Sequence, residues 1–332
     1  MNASWINNRY AIDGEDITAE MLDIVCGCLF TPNASDGRFD SDSFKITKKD
    51  LLDRIDAEIN NKRGYAVTRA AGIAFRGEPA ENSCYGTREA AEAVTSESSY
   101  SAYTELLRTA QVEIFYVASE ENSSVEKRLD EEFSKLPRAP KIYEFFNQSN
   151  IKASPERFSD ELEVSQSKMV LAFKTTSEDK YALKLLSTVF GETPVSKLFM
   201  NVREKLSLCY YCASRVIGSK NALFVDCGVE KDNIEKAEAE ILRQLDEIRN
   251  GNLTDEEISK ALMSIDNSLS AVGDTPSSYS AWYFERFCEN NIITPQQQLE
   301  NYRAVTRERI IEAAKSLKLD TVYLMLNKEA QA

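Results

Sequence analysis

Hydrophobic residues recur along the chain with two different periods, which together predict a mixture of helices and strands. Spacings of three and four residues predict helices at Ala19–Phe30, Lys48–Asn60, Tyr65–Phe75 and Asp232–Arg249. Runs of β-branched and aromatic residues predict strands at residues 3–11, Val112–Val117, Glu161–Thr175, Asn221–Val229 and Asp320–Leu326. The pattern is therefore typical of the α+β class.

The two halves of the chain end alike. Val94-Thr95, a helix and the segment VEIFYV correspond to Val305-Thr306, a helix and TVYLML. This repetition favours two copies of one α+β domain, joined by the proline-containing segment 137–154. Only about two strands are predicted in the first copy, too few for a stable sheet. We therefore expect the first domain to be incomplete.

Gly191–Tyr211 is the stretch richest in candidate chemistry. It predicts a turn, a helix over Val195–Lys205 and an aromatic strand from Leu208 onward. Arg203 ends that helix, and Tyr210 enters the strand seven residues later. A guanidinium and a phenol together suit a peptide carbonyl or a negatively charged oxygen. The alternative is structural, since arginine complements a helix C-terminus and aromatic residues pack sheets.

Composition narrows the classes of partner. The 332 residues carry a net charge of -14, which argues against binding to nucleic acid or an anionic membrane. No run of apolar residues is long enough to span a membrane, and the N-terminus does not resemble a signal peptide. Seven cysteines, an odd number, indicate a reducing compartment, so a cytoplasmic location is expected.

Cys209 and Cys212 form a C-x-x-C pair. Three residues apart on a regular strand, they are expected on opposite faces, unable to bind one ion together. We therefore interpret all seven cysteines as small buried hydrophobic residues.

The same stretch resembles a known family. It is similar to the signature in the C-terminal half of the insulinase/pitrilysin-type (inverzincin) metallopeptidases, which include the mitochondrial processing peptidases. The matching residues are Ser196, Lys197, Leu198, Phe199, Arg203, Glu204, Lys205, Tyr210 and Tyr211. One departure is Ser207, which stands where the family usually has glycine.

The resemblance implies two similar domains, each an antiparallel-rich sheet with helices packed on one face. It predicts a partial N-terminal domain at 1–136, a linker at 137–154 and a C-terminal substrate-binding, inactive domain at 155–332. The family's zinc motif, His-x-x-Glu-His, is absent, and the sequence has no histidine. Arg54 stands where the remaining zinc-ligand glutamate is expected. We therefore expect no metal on this chain and a zinc ion in a partner chain.

A non-catalytic, processing-peptidase-like member of the family is the function implied. Arg203 and Tyr210 would bind peptide substrate or stabilise an oxyanion for a zinc-bearing homologous subunit in a hetero-oligomer, or after self-association. The first alternative is a structural, peptide-binding scaffold. The second is a piece of a longer zinc-peptidase-like chain whose N-terminal part is missing.

Overall fold

The computed structural model describes residues 1–142 and 149–328, which group into two compact units. One unit comprises Met1–Ile55, Gly86–Tyr143 and Tyr279–Ala281, and the other comprises Asp56–Tyr85, Glu144–Ser278 and Trp282–Ala332. The units therefore interleave along the chain. The division at 1–136, 137–154 and 155–332 stays a prediction about domains, and residues 143–148 of the predicted linker lie outside the described residues.

The first unit consists mainly of helices beside a short hairpin. Its elements are α1 (Ile17–Phe30), β1 (Ala34–Ser35), β2 (Arg38–Phe39), α2 (Ser41–Ala57), α4 (Arg88–Ala93), α5 (Ser96–Thr109) and α6 (Ser123–Ser134). Leu22 and Cys26 of α1 are buried against Val125 and Leu129 of α6. The predicted helix at Ala19–Phe30 is thereby confirmed.

Two predicted strands are wrong. Residues 3–11 contain one turn of 3-10 helix at Asn8–Tyr10, where the Asn7 side chain accepts a hydrogen bond from the Arg9 N–H. Residues 112–117 join no sheet in the described part of the chain, and Ile114 is 52% exposed. A β-branched run becomes a strand only where a neighbouring strand supplies ladder hydrogen bonds, which sequence pattern alone does not reveal.

The second unit is built on a five-stranded sheet in the order β3-β7-β4-β6-β5. Only the β3–β7 pairing is parallel, so the sheet is antiparallel-rich and the α+β prediction is confirmed. The strands are β3 (Glu156–Leu162), β4 (Ser167–Lys174), β5 (Cys209–Ile217), β6 (Ala222–Val229) and β7 (Lys318–Asn327).

Helices cover both faces of this sheet, whereas the resemblance implied helices on one face alone. The larger core lies on one face, where Leu223 and Val225 of β6 meet apolar residues from most of the helices. On the opposite face, Phe224 packs with Ala70 and Ile73 of helix α3 (Lys62–Ala74). Every residue of β6 is buried, as expected of a strand covered on both sides. The helices are α3 (Lys62–Ala74), α7 (Lys180–Ser187), α8 (Ile234–Arg249), α9 (Asp255–Ser270), α10 (Pro276–Cys288), α11 (Pro295–Arg303) and α12 (Arg307–Ser316).

Candidate functional site

Gly191 opens the candidate site at a point of close backbone approach. A Cβ atom there would lie 2.6 Å from the backbone nitrogen of Ser214 and 2.8 Å from Cδ1 of Leu198. Real Cβ atoms essentially never make contacts this short. Glycine therefore lets the segment after α7 pack directly on β5.

The predicted helix over Val195–Lys205 is shorter and wider than expected. Leu198–Lys205 is a π-helix, and a second π-helical turn lies at Thr188–Glu192. Leu198 and Val202 are fully buried. π-Helical turns occur mostly as insertions, frequently at functional sites, and apolar spacing does not distinguish them from α-helix.

Ser207 ends the π-helix in a left-handed conformation, with φ of 50°. Its N–H donates to the Arg203 carbonyl at 3.0 Å, and the Leu208 N–H donates to the Val202 carbonyl at 3.1 Å. Left-handed backbone is the conformation for which glycine is preferred. The turn is therefore retained without the glycine, at a cost in backbone strain.

Arg203 lies at the surface at the end of the π-helix. Its side chain is 41% exposed and stacks on the Phe199 ring, with 4.6 Å from Cζ to the ring centroid. Glu204 lies 3.6 Å away, too far for a strong hydrogen bond. The guanidinium therefore keeps donors that an incoming acceptor can use.

Tyr210 is displaced outward by a β-bulge. Cys209 pairs with Val229 and Tyr211 with Gly228, so two steps along β5 match one step along β6. The extra residue, Tyr210, is 61% exposed. A hydrogen bond to the Glu230 carboxylate raises the pKa of the Tyr210 phenol. Bulges often re-aim a side chain next to active sites.

The other motif residues include two that are buried in the motif segment and one that acts through its charge. Ser196 and Lys197 are buried, and Ser196 Oγ donates to the Thr193 carbonyl at 2.6 Å. Lys197 Nζ lies 2.7 Å from the Glu257 carboxylate, in the first turn of α9. Hydrogen bonds from Arg243 lower the pKa of Glu240, and the charge of Lys205 adds to this effect.

Tyr211 faces the opposite side of the sheet from the cysteines that flank it. Arg63 of α3 lies over the Tyr211 ring, with 4.3 Å from Cζ to the centroid, and also pairs with the buried carboxylate of Asp226. Burial raises the pKa of Tyr211. Gly228 leaves room for the ring, because a Cβ there would clash with Tyr211 Cε1.

Sequence reasoning missed Asp226 and Glu230. Asp226 is 1% exposed, and Arg215 donates to it at 3.0 Å. A signal was available for Asp226, since one carboxylate inside an apolar strand predicts a buried ion pair. None was available for Glu230, because its contact with Tyr210 depends on the bulge.

The prediction for Cys209 and Cys212 is wrong, and the bulge is the reason. Because Tyr210 is an extra residue in β5, Cys209 lies opposite Val229 and Cys212 lies opposite Cys227. Val229 and Cys227 are two residues apart on β6 and point to the same face, so Cys209 and Cys212 also share that face. Their thiols lie with that of Cys227 in the larger core. Hydrogen bonds from Cys212 and Cys227 lower the pKa of Cys209, and the charge of Arg203 lowers it further.

A catalytic zinc ion does not fit this chain. The family's imidazole ligands have no counterpart, because the sequence contains no histidine. Arg54, at the position expected for the third ligand, is an exposed cation on α2. In the part of the chain that the structure describes, Cys209, Cys212 and Cys227 form the single group of three metal-ligand side chains.

A family model described as Peptidase M16 inactive domain matches residues 93–265, half of the chain. The chain belongs to that family. The resemblance to the insulinase/pitrilysin-type metallopeptidases at Gly191–Tyr211 is thereby confirmed, and the chain carries a metallopeptidase-like domain of the inactive M16 type. The "Probable inactive metalloprotease YmfF" of Bacillus subtilis is 28% identical over 327 residues, which are 97% of this chain and 76% of the relative.

Solved structures share the M16 fold. A conserved protein from Enterococcus faecalis has a TM-score of 0.89 at 26% identity, covering 98% of this chain and 78% of that one. A peptidase M16 inactive domain from Pseudomonas fluorescens has a TM-score of 0.73 at 17% identity, covering 89% and 73%. Among the described residues, no helix is both long and apolar enough to cross a membrane.

Proposed function

We propose that this protein is the non-catalytic subunit of a peptide-hydrolysing heterodimer. It binds peptide substrate through Arg203 and Tyr210, while a homologous subunit carries the zinc ion. Membership of the inactive M16 family and the absence of histidine support the division of labour. Seven free thiols favour a reducing location, which we propose is the cytoplasm.

The observation that carries the proposal is the exposure of Tyr210. Its neighbours Cys209 and Cys212 are buried, yet the bulge turns a large aromatic side chain into solvent. The bulge thereby makes the Tyr210 phenol accessible to an incoming peptide. A phenol and a guanidinium can each offer hydrogen bonds to a peptide carbonyl or an oxyanion.

The neighbouring carboxylate explains how the phenol is held before substrate binds. The phenol donates a hydrogen bond to the Glu230 carboxylate, and this bond raises the pKa of the phenol. A substrate carbonyl would take over the hydrogen bond. Because the site is exposed, this exchange costs little.

β5 also offers a place for the peptide backbone. It pairs with β6 alone among the described strands and is therefore an edge of that sheet. An extended peptide can add to a sheet edge through main-chain hydrogen bonds. The net charge of -14 favours peptides that carry positive charge.

The test uses the complex isolated from its natural source with whichever M16 homologue co-purifies. We expect Tyr210→Phe to leave assembly intact and to slow peptide cleavage about 100-fold, the usual cost of one oxyanion donor. Arg203→Lys keeps the charge but loses the planar fork of donors, so we expect weaker peptide binding.

Tyr10→Phe is the matched control, because Tyr10 is 60% exposed and lies far from the motif in sequence. It should leave cleavage unchanged. Equal cleavage rates for Tyr210→Phe and the parent complex would refute the catalytic contribution. If Tyr210→Phe and Arg203→Lys then both retain peptide binding, the protein is a scaffold.

A further inference from the structure

Three cysteine thiols meet at one point beneath the bulge. The Sγ atoms of Cys209, Cys212 and Cys227 all lie within 4.8 Å of one another. The three residues are 9%, 4% and 0% exposed, respectively. Two come from β5 and the third lies directly opposite Cys212 on β6, so the sheet itself fixes their positions.

The sulfur separations are close to those of a metal-thiolate site. A metal–sulfur distance of about 2.3 Å places the sulfurs of a trigonal site roughly 4 Å apart. The three thiols would therefore move together by less than about 1 Å, which side-chain torsions can provide. No backbone rearrangement is needed.

The number and type of donors select the metal. Within the described residues, the group contains no fourth cysteine, histidine or carboxylate. Structural zinc requires four ligands, and hard cations require oxygen. Three thiolates shielded from water suit a soft ion of low coordination number, of which Cu(I) is the biological example.

We propose that Cys209, Cys212 and Cys227 form a three-coordinate binding site for Cu(I). Each thiol that binds as a thiolate releases its proton to solvent, and the copper stays Cu(I), so no oxidant or reductant is required. The nearby Arg203 guanidinium offsets part of the negative charge. Bound copper joins β5 to β6 on both sides of Tyr210 and thereby fixes the bulge. This proposal does not depend on the proposed function.

The experiment measures Cu(I) binding by the full chain without oxygen, in competition with a coloured Cu(I) chelator. The reference protein carries Cys28→Ser and Cys84→Ser, because those exposed thiols would bind copper adventitiously. We expect one tightly bound Cu(I), ultraviolet thiolate-to-copper absorption and a higher thermal unfolding midpoint.

Cys212→Ser or Cys227→Ser, made in the reference protein, should weaken Cu(I) binding. The loss should exceed the 10–100-fold that is typical when an outer-shell partner of a metal site is removed. Cys26→Ser is the control, since Cys26 is also buried but lies outside the group. Circular dichroism of each variant establishes that it folds. Cys227→Ala serves as a second variant if serine is not tolerated in the core.

Equal copper affinity in the reference protein and a folded Cys227 variant would overturn the proposal. Tighter binding of Zn(II) than of Cu(I) would also overturn it, because zinc would show that a fourth ligand exists. Formation of a Cys212–Cys227 disulfide in place of copper binding would contradict it as well, and mass spectrometry of the unreduced protein detects that bond.

Discussion

Replacing Gly191 by alanine tests whether close packing of the motif on β5 supports the sheet unit. The added Cβ would meet the Ser214 nitrogen at 2.6 Å and Leu198 Cδ1 at 2.8 Å. The nitrogen belongs to a strand held by β6 and cannot move freely. Overpacking of this kind costs about 1–3 kcal/mol. Alanine also lowers the conformational entropy of the unfolded chain, which stabilises the folded protein by roughly 0.4–1 kcal/mol. We expect a net loss of roughly 1–2 kcal/mol.

The assay is urea unfolding followed by tryptophan fluorescence. The chain has two tryptophans, and Trp282 belongs to the sheet unit while Trp5 belongs to the other. In a Trp5→Phe background, the signal therefore reports the sheet unit alone. A lower urea midpoint with an unchanged slope would measure the loss directly.

Gly218→Ala is the matched control for this prediction. No atom lies within 4 Å of a Cβ at Gly218, and its φ is not in the left-handed region. It should be neutral or stabilising by up to about 1 kcal/mol. Equal midpoints for the two alanine variants would refute the packing argument for Gly191.

Two further predictions concern the ends of the helices. Ser207→Gly should stabilise the protein by up to about 1 kcal/mol in the same urea assay, because it relieves a left-handed φ that costs roughly 1–2 kcal/mol for other residues; a loss of stability would contradict this reading of the turn. At Asp179, the N-cap of α7, hydrogen bonds from Arg309 lower the carboxyl pKa, although burial opposes them. A carboxyl whose pKa is lower in the folded than in the unfolded protein stabilises the fold at pH values above its unfolded pKa. That stability is lost as the pH falls through the folded pKa. Asp179→Asn keeps the N-cap hydrogen bond, so its free energy of unfolding at pH 7 should fall by less than about 1 kcal/mol. The urea unfolding curves of the variant and the parent should converge at low pH, and curves that remain separated well below pH 3.8 would contradict this prediction.

The fold class was predictable because β4, β6 and β7 are apolar runs long enough to be recognised. The strand β3 is mostly charged and polar and carries no such signal. The failures came from interactions with other strands. Residues 112–117 have strand composition but no described strand beside them. The cysteine prediction failed because it assumed unbroken alternation along β5, and a bulge is set by how the partner strand pairs.

Within the candidate site, the roles of Arg203 and Tyr210 stay predictions, and the way the two residues are held was not predictable. Arg203 and Tyr210 are both at the surface, as binding residues must be. That observation is compatible with their predicted role and leaves the role itself to the Tyr210→Phe experiment. Glu230 and the π-helical turns were not predictable, because neither has a signature in local composition.

The interleaving of the chain has a consequence for producing fragments of this protein. The sheet is formed by residues beyond 155, but one of its faces is covered by α3, which precedes it by about eighty positions. A recombinant piece beginning at 155 would expose Phe224, Tyr323 and Met325 to water and should precipitate. Adding a peptide that spans α3 should rescue its solubility, as in a split-protein complementation pair.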